Sequence, residues 1–482
     1  MPVITPPGFD LQPSGQQVAL ASNYITNFDF LNQYLPDTYE KEFERYGNRT
    51  VASFLRMVGA EMPSNSDMIK WAEQGRLHTK YTGCVATGFA AGVAVATWLI
   101  PAAQVNPGAP ASTAPANGFT AVRVGQTVMI SDETAASTLS NKAIVTNVAA
   151  AAAAGTYAVT VAYYDQGGQT MGAAANCTMF IYGSEFQKGT NGMQGSIEAQ
   201  DFIFDNNPII IKDTYQVNGS DMAQIGWVEI ATENGGTGYL WYLKSEHETR
   251  LRFEDYLETA MVEAVPATVG GVGSGAATAG FNGSDGIFYV VNSRGNVWNG
   301  GNPVALAGFD SVIQRLDKQG AIEENVIFCN RQFSFDIDDM LAAQNSYGAG
   351  GTSYGLFDND EEMALNLGFT GFRRGYDFYK SDWKYLNDAT MRGDIVGGSV
   401  NGLMVPAGST SVYDQVMGRN AKRPFLHVRY RASETEDRRY KTWITGSAGG
   451  ARTSDLDAME VNFLSERAVC TLGANNFFIF QD

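Results

Sequence analysis

Hydrophobic and polar positions change period several times along this chain, and each change marks an expected element. Residues 1–35 are polar and extended, with Pro2, Pro6, Pro7 and Pro13 blocking helix. Thr38–Gly59 then places Tyr39, Phe43, Val51, Phe54, Leu55 and Val58 at helical spacing. Tyr81–Val122 carries no charge, but Gly88, Gly92, Thr97 and Pro101 interrupt it, so a buried strand pair is expected there and not a membrane span. A Pro/Ala/Gly-rich loop follows at Pro101–Gly118. The runs AVRVGQTVMI, KAIVTNV, TYAVTVAYY and TMFIYG alternate with period 2, at Val122/Val124, Val128/Ile130 and Tyr157/Val159/Val161/Tyr163. They predict a small all-β module over residues 83–182, inserted into a different surrounding pattern.

From Gly183 to Gly238 the chain is first turn-rich and then strand-like, as expected of a long arm that returns to a main body. Trp241–Ala264 is the one long, strongly helical segment, about 35 Å at the α-helical rise. Charges at i,i+4 spacing form two rows, Glu246–Arg250–Glu254–Glu258 and Lys244–Glu248–Arg252. Leu243, His247, Leu251, Phe253, Leu257, Ala260, Met261 and Ala264 form apolar stripes for packing. Beyond a Gly-rich stretch at Pro266–Gly286, GIFYVVN reads as a strand and NPVALAGFDSVIQRLDKQG as a helix ended by Gly320. ENVIFCN reads as a strand and FSFDIDDMLAAQN as a helix; this alternation predicts an α/β layer. MEVNFLSERAVCTLGANNFFIF reads as two closing strands.

Composition narrows the function. The 482 residues are 44% hydrophobic, enough for more than one core. Charged residues are only 17% and glycine is abundant at 53, as in chains that bury broad surfaces in contacts. A net charge of −18 opposes a general grip on nucleic acid. Cys84, Cys177, Cys329 and Cys470 are widely spaced with no CxxC, which suits free thiols in a reducing cytoplasm. The N-terminal sequence has no signal-peptide pattern.

No phosphate-binding loop, dinucleotide fingerprint, nucleophile elbow or HExxH occurs, and His78, His247 and His427 are the only histidines. Asp336/Asp338/Asp339 and Asp358/Asp360/Glu361/Glu362 read as helix-terminal acids and a solvated loop. No catalytic, cofactor-binding or metal-binding residue is assigned, and no cofactor. The basic run Arg419, Lys422, Arg423, Arg429, Arg431, Arg438, Arg439 and Lys441 is expected to meet an acidic surface on a neighbouring subunit.

The segment GSEFQKGTNG…NPIIIKDTYQVNGSDMAQIGWVEI…GYLWYLKSEHETRLRFEDYLETAMVEA resembles the arm-to-rod region of tailed-bacteriophage major capsid proteins, in the crAss-like branch. VRVGQTVMI resembles a small β insertion found there, and SERAVCTLGANNFFIF resembles the family's last strands. The close likeness covers Gly183–Val265 and the C-terminal end; elsewhere it is one of order and composition. The resemblance implies an α+β fold with an N-terminal arm and helix at 1–63 and an extended loop at 64–82 and 183–238. It implies an inserted all-β domain at 83–182, a peripheral domain with a spine helix at 239–265 and 455–482, and an axial domain at 266–454.

The implied function is self-assembly into pentamers and hexamers of an icosahedral head shell enclosing double-stranded DNA, with no enzymatic activity. The implied partners are copies of itself, a separate scaffolding protein, a portal and decoration proteins, with packaged DNA touched only weakly and no membrane. The implied location is the virion, with assembly in the host cytoplasm. Gly270–Gly286 is the expected hinge between pentamer and hexamer geometries. Deleting Gly183–Gly238 is expected to abolish particles while the core stays folded. Two rivals stand beside this: another virion component, tail or decoration, whose β module binds a receptor or glycan, and a hydrolase using an acidic pair such as Glu361/Glu362.

Overall fold

The computed structural model describes residues 61–74, 80–87, 93–101, 120–133, 140–150, 156–165, 176–193, 201–224, 229–231, 237–267, 275–320, 322–345, 371–393, 395, 397–414, 419–448 and 452–481. The expected helix at 38–59, the loop at 102–119, the hinge residues 270–274 and the acidic group at 358–362 lie outside the described residues. The fold is α+β and mostly β, and it divides into two compact units, residues 71–204 and residues 1–70 with 205–482.

The chain runs through β1 (Glu61–Ser64) and β2 (Ile69–Gln74) into β3 (Lys80–Thr87), β4 (Val95–Ile100), β5 (Gln126–Asp132), β6 (Ser140–Ala150), β7 (Tyr157–Tyr163) and β8 (Cys177–Ser184). Strands β3 to β8 close into an antiparallel barrel in the order β3-β4-β7-β6-β5-β8, with β8 pairing back onto β3. Side chains alternate across a strand, so one residue in two points inward. Tyr157, Val159 and Val161 of β7, Val128 and Ile130 of β5, Trp98 and Ile100 of β4 and Cys84 of β3 fill the interior. The uncharged Tyr81–Val122 stretch thus supplies two adjacent barrel strands, β3 and β4. Val124 differs from its expected place: it sits in the turn before β5 and is exposed. Strand β9 (Asp201–Asn206) pairs with β2 as a two-stranded ribbon.

The larger unit continues with β10 (Ile209–Asn218), α1 (Gly219–Gln224), β11 (Glu229–Ala231), β12 (Thr237–Tyr239) and α2 (Leu240–Glu263). Then come α3 (Gly275–Thr278), α4 (Ile287–Arg294), β13 (Asn296–Asn299), α5 (Leu306–Gln319), β14 (Glu324–Cys329) and α6 (Arg331–Asn345). The rest is β15 (Gly371–Arg374), β16 (Tyr376–Asp382), α7 (Lys384–Asn387), β17 (Val400–Pro406), β18 (Ser409–Asp414), β19 (Arg419–Pro424), β20 (Leu426–Arg431), β21 (Lys441–Gly446), β22 (Ala458–Thr471) and β23 (Phe478–Gln481).

Two sheets organise this unit. In the first, the 14-residue β22 pairs with β10 on one side and with β21 and β20 on the other, and β1 runs parallel to β20 at the edge. In the second, six strands run in the order β13-β23-β17-β14-β16-β15. Its central strands are buried on both faces, and alternation sorts their side chains. Ile327, Cys329, Met404, Phe478 and Phe480 meet α5 and α6 through Phe309, Val312, Leu316, Phe333, Ile337 and Met340. Phe328, Leu403, Val405 and Ile479 face the other way and join Met261 and Val262 of α2, Ile287, Phe288 and Val291 of α4, and Leu426, Val428 and Val469 of the first sheet.

Two sequence expectations meet a different arrangement, and a third is met. GIFYVVN is helix, not strand, because Ile287, Phe288, Val290 and Val291 are buried at helical spacing. The two expected closing strands both form, β22 in the first sheet and β23 in the second. Within 183–238, Ile209–Asn218 is a strand paired over its whole length with β22, so removing that span would take a core strand with it. Helix α5 ends where expected: Gly320 adopts φ 82°, a left-handed cap that glycine takes without steric cost.

Candidate assembly surface

Helix α2 lies on the first sheet. Phe253 and Leu257 are fully buried against Met459, Val461 and Phe463 of β22, with the Phe253 and Phe463 rings 5.7 Å apart. One turn on, Met261 and Val262 enter the larger core. Of the expected charge pattern, Arg250–Glu254 is seen within the helix, 3.6 Å apart on an exposed face. Arg252 instead reaches across to β10, donating from Nε and Nη2 to the Asp213 carboxylate at 2.8 and 3.0 Å. His247 is exposed and is not part of the packing stripe.

The acidic side chains near the end of α2 strap down the segment around α7. Trp383 Nε1 donates to Glu258 Oε1 at 2.5 Å, Lys384 Nζ to Asp255 at 3.3 Å and Tyr385 Oη to Glu263 Oε1 at 2.6 Å. Arg392 also pairs with Glu263 and stacks over Phe288 at 5.2 Å. Burial raises the Asp255 carboxyl despite Lys384, and burial beside Glu263 raises the Tyr385 phenol. These contacts make the helix part of a solid body, and its acids are structural.

The basic run does not wait for a neighbour. Arg431 pairs with Asp67 and with Glu466, Arg438 Nη1 meets Glu466 Oε2 at 2.8 Å, and Arg439 pairs with Glu61. Lys441 Nζ meets Glu436 at 2.8 Å. Arg467, 2% exposed, lies 3.5 Å from Glu61 and donates to Ser465 Oγ and to the Arg439 carbonyl, both at 2.9 Å. The expectation of an intermolecular acidic partner is therefore corrected for these residues. Acids distant in sequence, Glu61 and Asp67 before the barrel and Glu466 near the C-terminus, converge on them and pin β1 to the sheet. Of these pairs only Arg467–Glu61 is buried on both sides; removing one member of such a buried pair costs about 3–5 kcal/mol, whereas the exposed pairs around it contribute little.

The remaining candidates for chemistry are scattered. His78 lies outside the described residues. His427 is buried on β20, its Nδ1 3.1 Å from the Pro424 carbonyl; burial and the charges of Arg429 and Arg423 lower its pKa to about 4. Asp336 accepts from Asn302 and Gln332, and Asp338 from Lys380 at 2.6 Å. All four cysteines are buried, and burial raises Cys84, Cys329 and Cys470 to about 12 and Cys177 to about 11. Among the described residues no three His, Cys, Asp or Glu side chains gather as a metal ion would require. No described helix is long and apolar enough to cross a membrane.

Apolar side chains left outward are more informative, and residue periodicity gave no signal for them. Ile203 on the ribbon is 70% exposed, Phe281 68%, Val304 64% and Val265 59%. Val265 and Phe281 belong together. The backbone just past α2 is hydrogen-bonded to residues 282–286, Ala267 N to Asn282 O and Gly286 N to Ala264 O, both at 2.8 Å. Gly283 (φ 67°) lets the two segments touch: a Cβ there would lie 2.3 Å from the Val265 carbonyl. A hydrogen-bonded turn thus presents two large apolar groups beside the end of α2.

No family model matches the chain, and no curated protein matches it. Solved structures are similar to it at low identity. One from Microbacterium phage Oxtober96 shares 11% identity over 93% of this chain and 94% of that one, with a TM-score of 0.36. The capsid structure of Cyanophage P-SCSP1u shares 8% over 62% and 80%, at 0.32. The holo-SrpI encapsulin complex from Synechococcus elongatus shares 7% over 60% and 77%, at 0.30. The superpositions are partial at these values, and the functional reading rests on the chain's own residues.

Proposed function

We propose that this chain is a major capsid protein of a tailed bacteriophage of the crAss-like branch, whose function is to associate with copies of itself. In this reading its copies form the pentamers and hexamers of an icosahedral head around double-stranded DNA, in the virion after assembly in the host cytoplasm. Scaffolding, portal and decoration proteins are its other partners, and catalysis is not part of its role. The sequence likeness over Gly183–Val265 supports this, and so does a body held rigid by α2 and the Glu61–Arg467 network.

The observation that carries the reading is the exposed pair Val265 and Phe281, fixed on a hydrogen-bonded turn rather than folded into either core beside it. Burial of a side chain of this size contributes roughly 1.5–3 kcal/mol, so many modest contacts summed over a shell suffice to hold it. The double substitution Val265→Asp and Phe281→Asp tests it by sedimentation velocity. Each contact should weaken at least ~10-fold, since 1.4 kcal/mol is a factor of ten and an unpaired buried charge costs more. Particles should disappear while the thermal unfolding midpoint of the monomer is unchanged. Wild-type particle yield from this variant would count against the assignment.

A further inference from the structure

Two of the four cysteines face each other inside the barrel. Cys84 on β3 and Cys177 on β8 are directly opposed in the antiparallel register, and both are 0% exposed in the same interior cluster. Directly opposed residues of antiparallel strands have Cα atoms about 4.5 or 5.5 Å apart, and both spacings lie within the range of about 4.4–6.8 Å that a disulfide spans. The other two cysteines lack this arrangement: Cys329 is opposed by Gly402 and Asp382, and Cys470 by His427. The strands concerned are the first and last of the barrel, so the pair sits where the ring of strands closes.

We propose that Cys84 and Cys177 form a redox-dependent staple across the closing seam of the barrel. The pair is a dithiol in a reducing compartment and becomes an intramolecular disulfide when a disulfide oxidant such as oxidised glutathione is supplied. One protein thiolate attacks the oxidant and displaces a glutathione thiolate, giving a mixed disulfide. The second protein thiolate then attacks the protein sulfur of that bond and displaces the other glutathione. The protein thiols are oxidised, and one oxidised glutathione is reduced to two molecules that take up the two protons. Burial of both thiols makes this exchange slow in the closed barrel, so it proceeds through transient opening. The bond ties the two ends of the barrel together and restricts the unfolded state over nearly its whole length.

The test uses the full chain purified under reductant and incubated with oxidised glutathione in mild urea, which opens the barrel, then returned to native buffer. Remaining thiols are alkylated after denaturation, and peptides are mapped by mass spectrometry. The expected product is a single linkage joining the Cys84 and Cys177 peptides, two hydrogens lighter than the dithiol, with Cys329 and Cys470 alkylated. The unfolding midpoint of the barrel should rise by on the order of 10 °C, and dithiothreitol should reverse the rise. Cys84→Ala, and separately Cys177→Val, should lose both the linkage and the shift. Four alkylated thiols, stable glutathione adducts on either residue, or a linkage between chains would each overturn the proposal. None of these outcomes depends on whether the chain builds shells.

Discussion

His427 shows how a single residue couples stability to pH. Its ring is neutral when folded, with a pKa of about 4, whereas an unfolded histidine titrates near 6.5. Above pH 6.5 neither state is charged and the residue contributes no slope. Between 6.5 and 4 the unfolded chain takes up a proton that the folded chain refuses, so stability falls with pH by up to about 3 kcal/mol. Below 4 that loss is complete. His427→Gln should remove this part of the slope in urea titrations across that window, whatever it does to the plateau. Gly446 is a second residue with a defined constraint: its φ is 123°, and a Cβ there would lie 1.8 Å from the Ala458 carbonyl. Gly446→Ala should cost at least ~2 kcal/mol by thermal unfolding, since the strain cannot relax without parting β21 from β22. Neither property was visible in the sequence, because the first is set by burial in the fold and the second by Ala458 on another strand.

Elements were more legible, and the failures share a cause. Period-2 alternation located Tyr157, Val159 and Val161 inside a strand, and Gly320 marked the end of α5. GIFYVVN was misread because a short β-branched run looks alike as a buried helix and a buried strand, and only its neighbours decide. Helix α2 was legible as a helix but not in its contacts. Glu258 read as part of an intrahelical charge row, yet it serves Trp383, and Asp255 and Glu263 serve Lys384 and Tyr385, more than a hundred residues away. The same holds for the basic run, whose partners Glu61 and Glu466 no local pattern could identify. Phe253 is fully buried between α2 and the sheet, with its ring against Phe463 and Tyr440. Phe253→Ala should destabilise the larger unit by about 3–5 kcal/mol in urea titrations, with the barrel's own transition unmoved.

At the scale of the whole chain, the two units have separate cores. The barrel's interior cluster contains only residues between Tyr81 and Met179. The larger unit joins two sheets through α2, α4 and α7, and its outward apolar groups sit on ordered backbone. A deletion of 183–238 cannot separate assembly from folding, because it removes β10 from the first sheet. Surface substitutions at Val265 and Phe281 can. The central claim is that this polypeptide completes its apolar surface against copies of itself, and mass in solution reads that most directly. The full chain, expressed alone at low and high concentration, is to be followed by sedimentation velocity with electron microscopy of the fractions. The account predicts rings and closed shells far heavier than the 52.0 kDa chain, with the monomer as a minor species. A stable monomer at high concentration would contradict it.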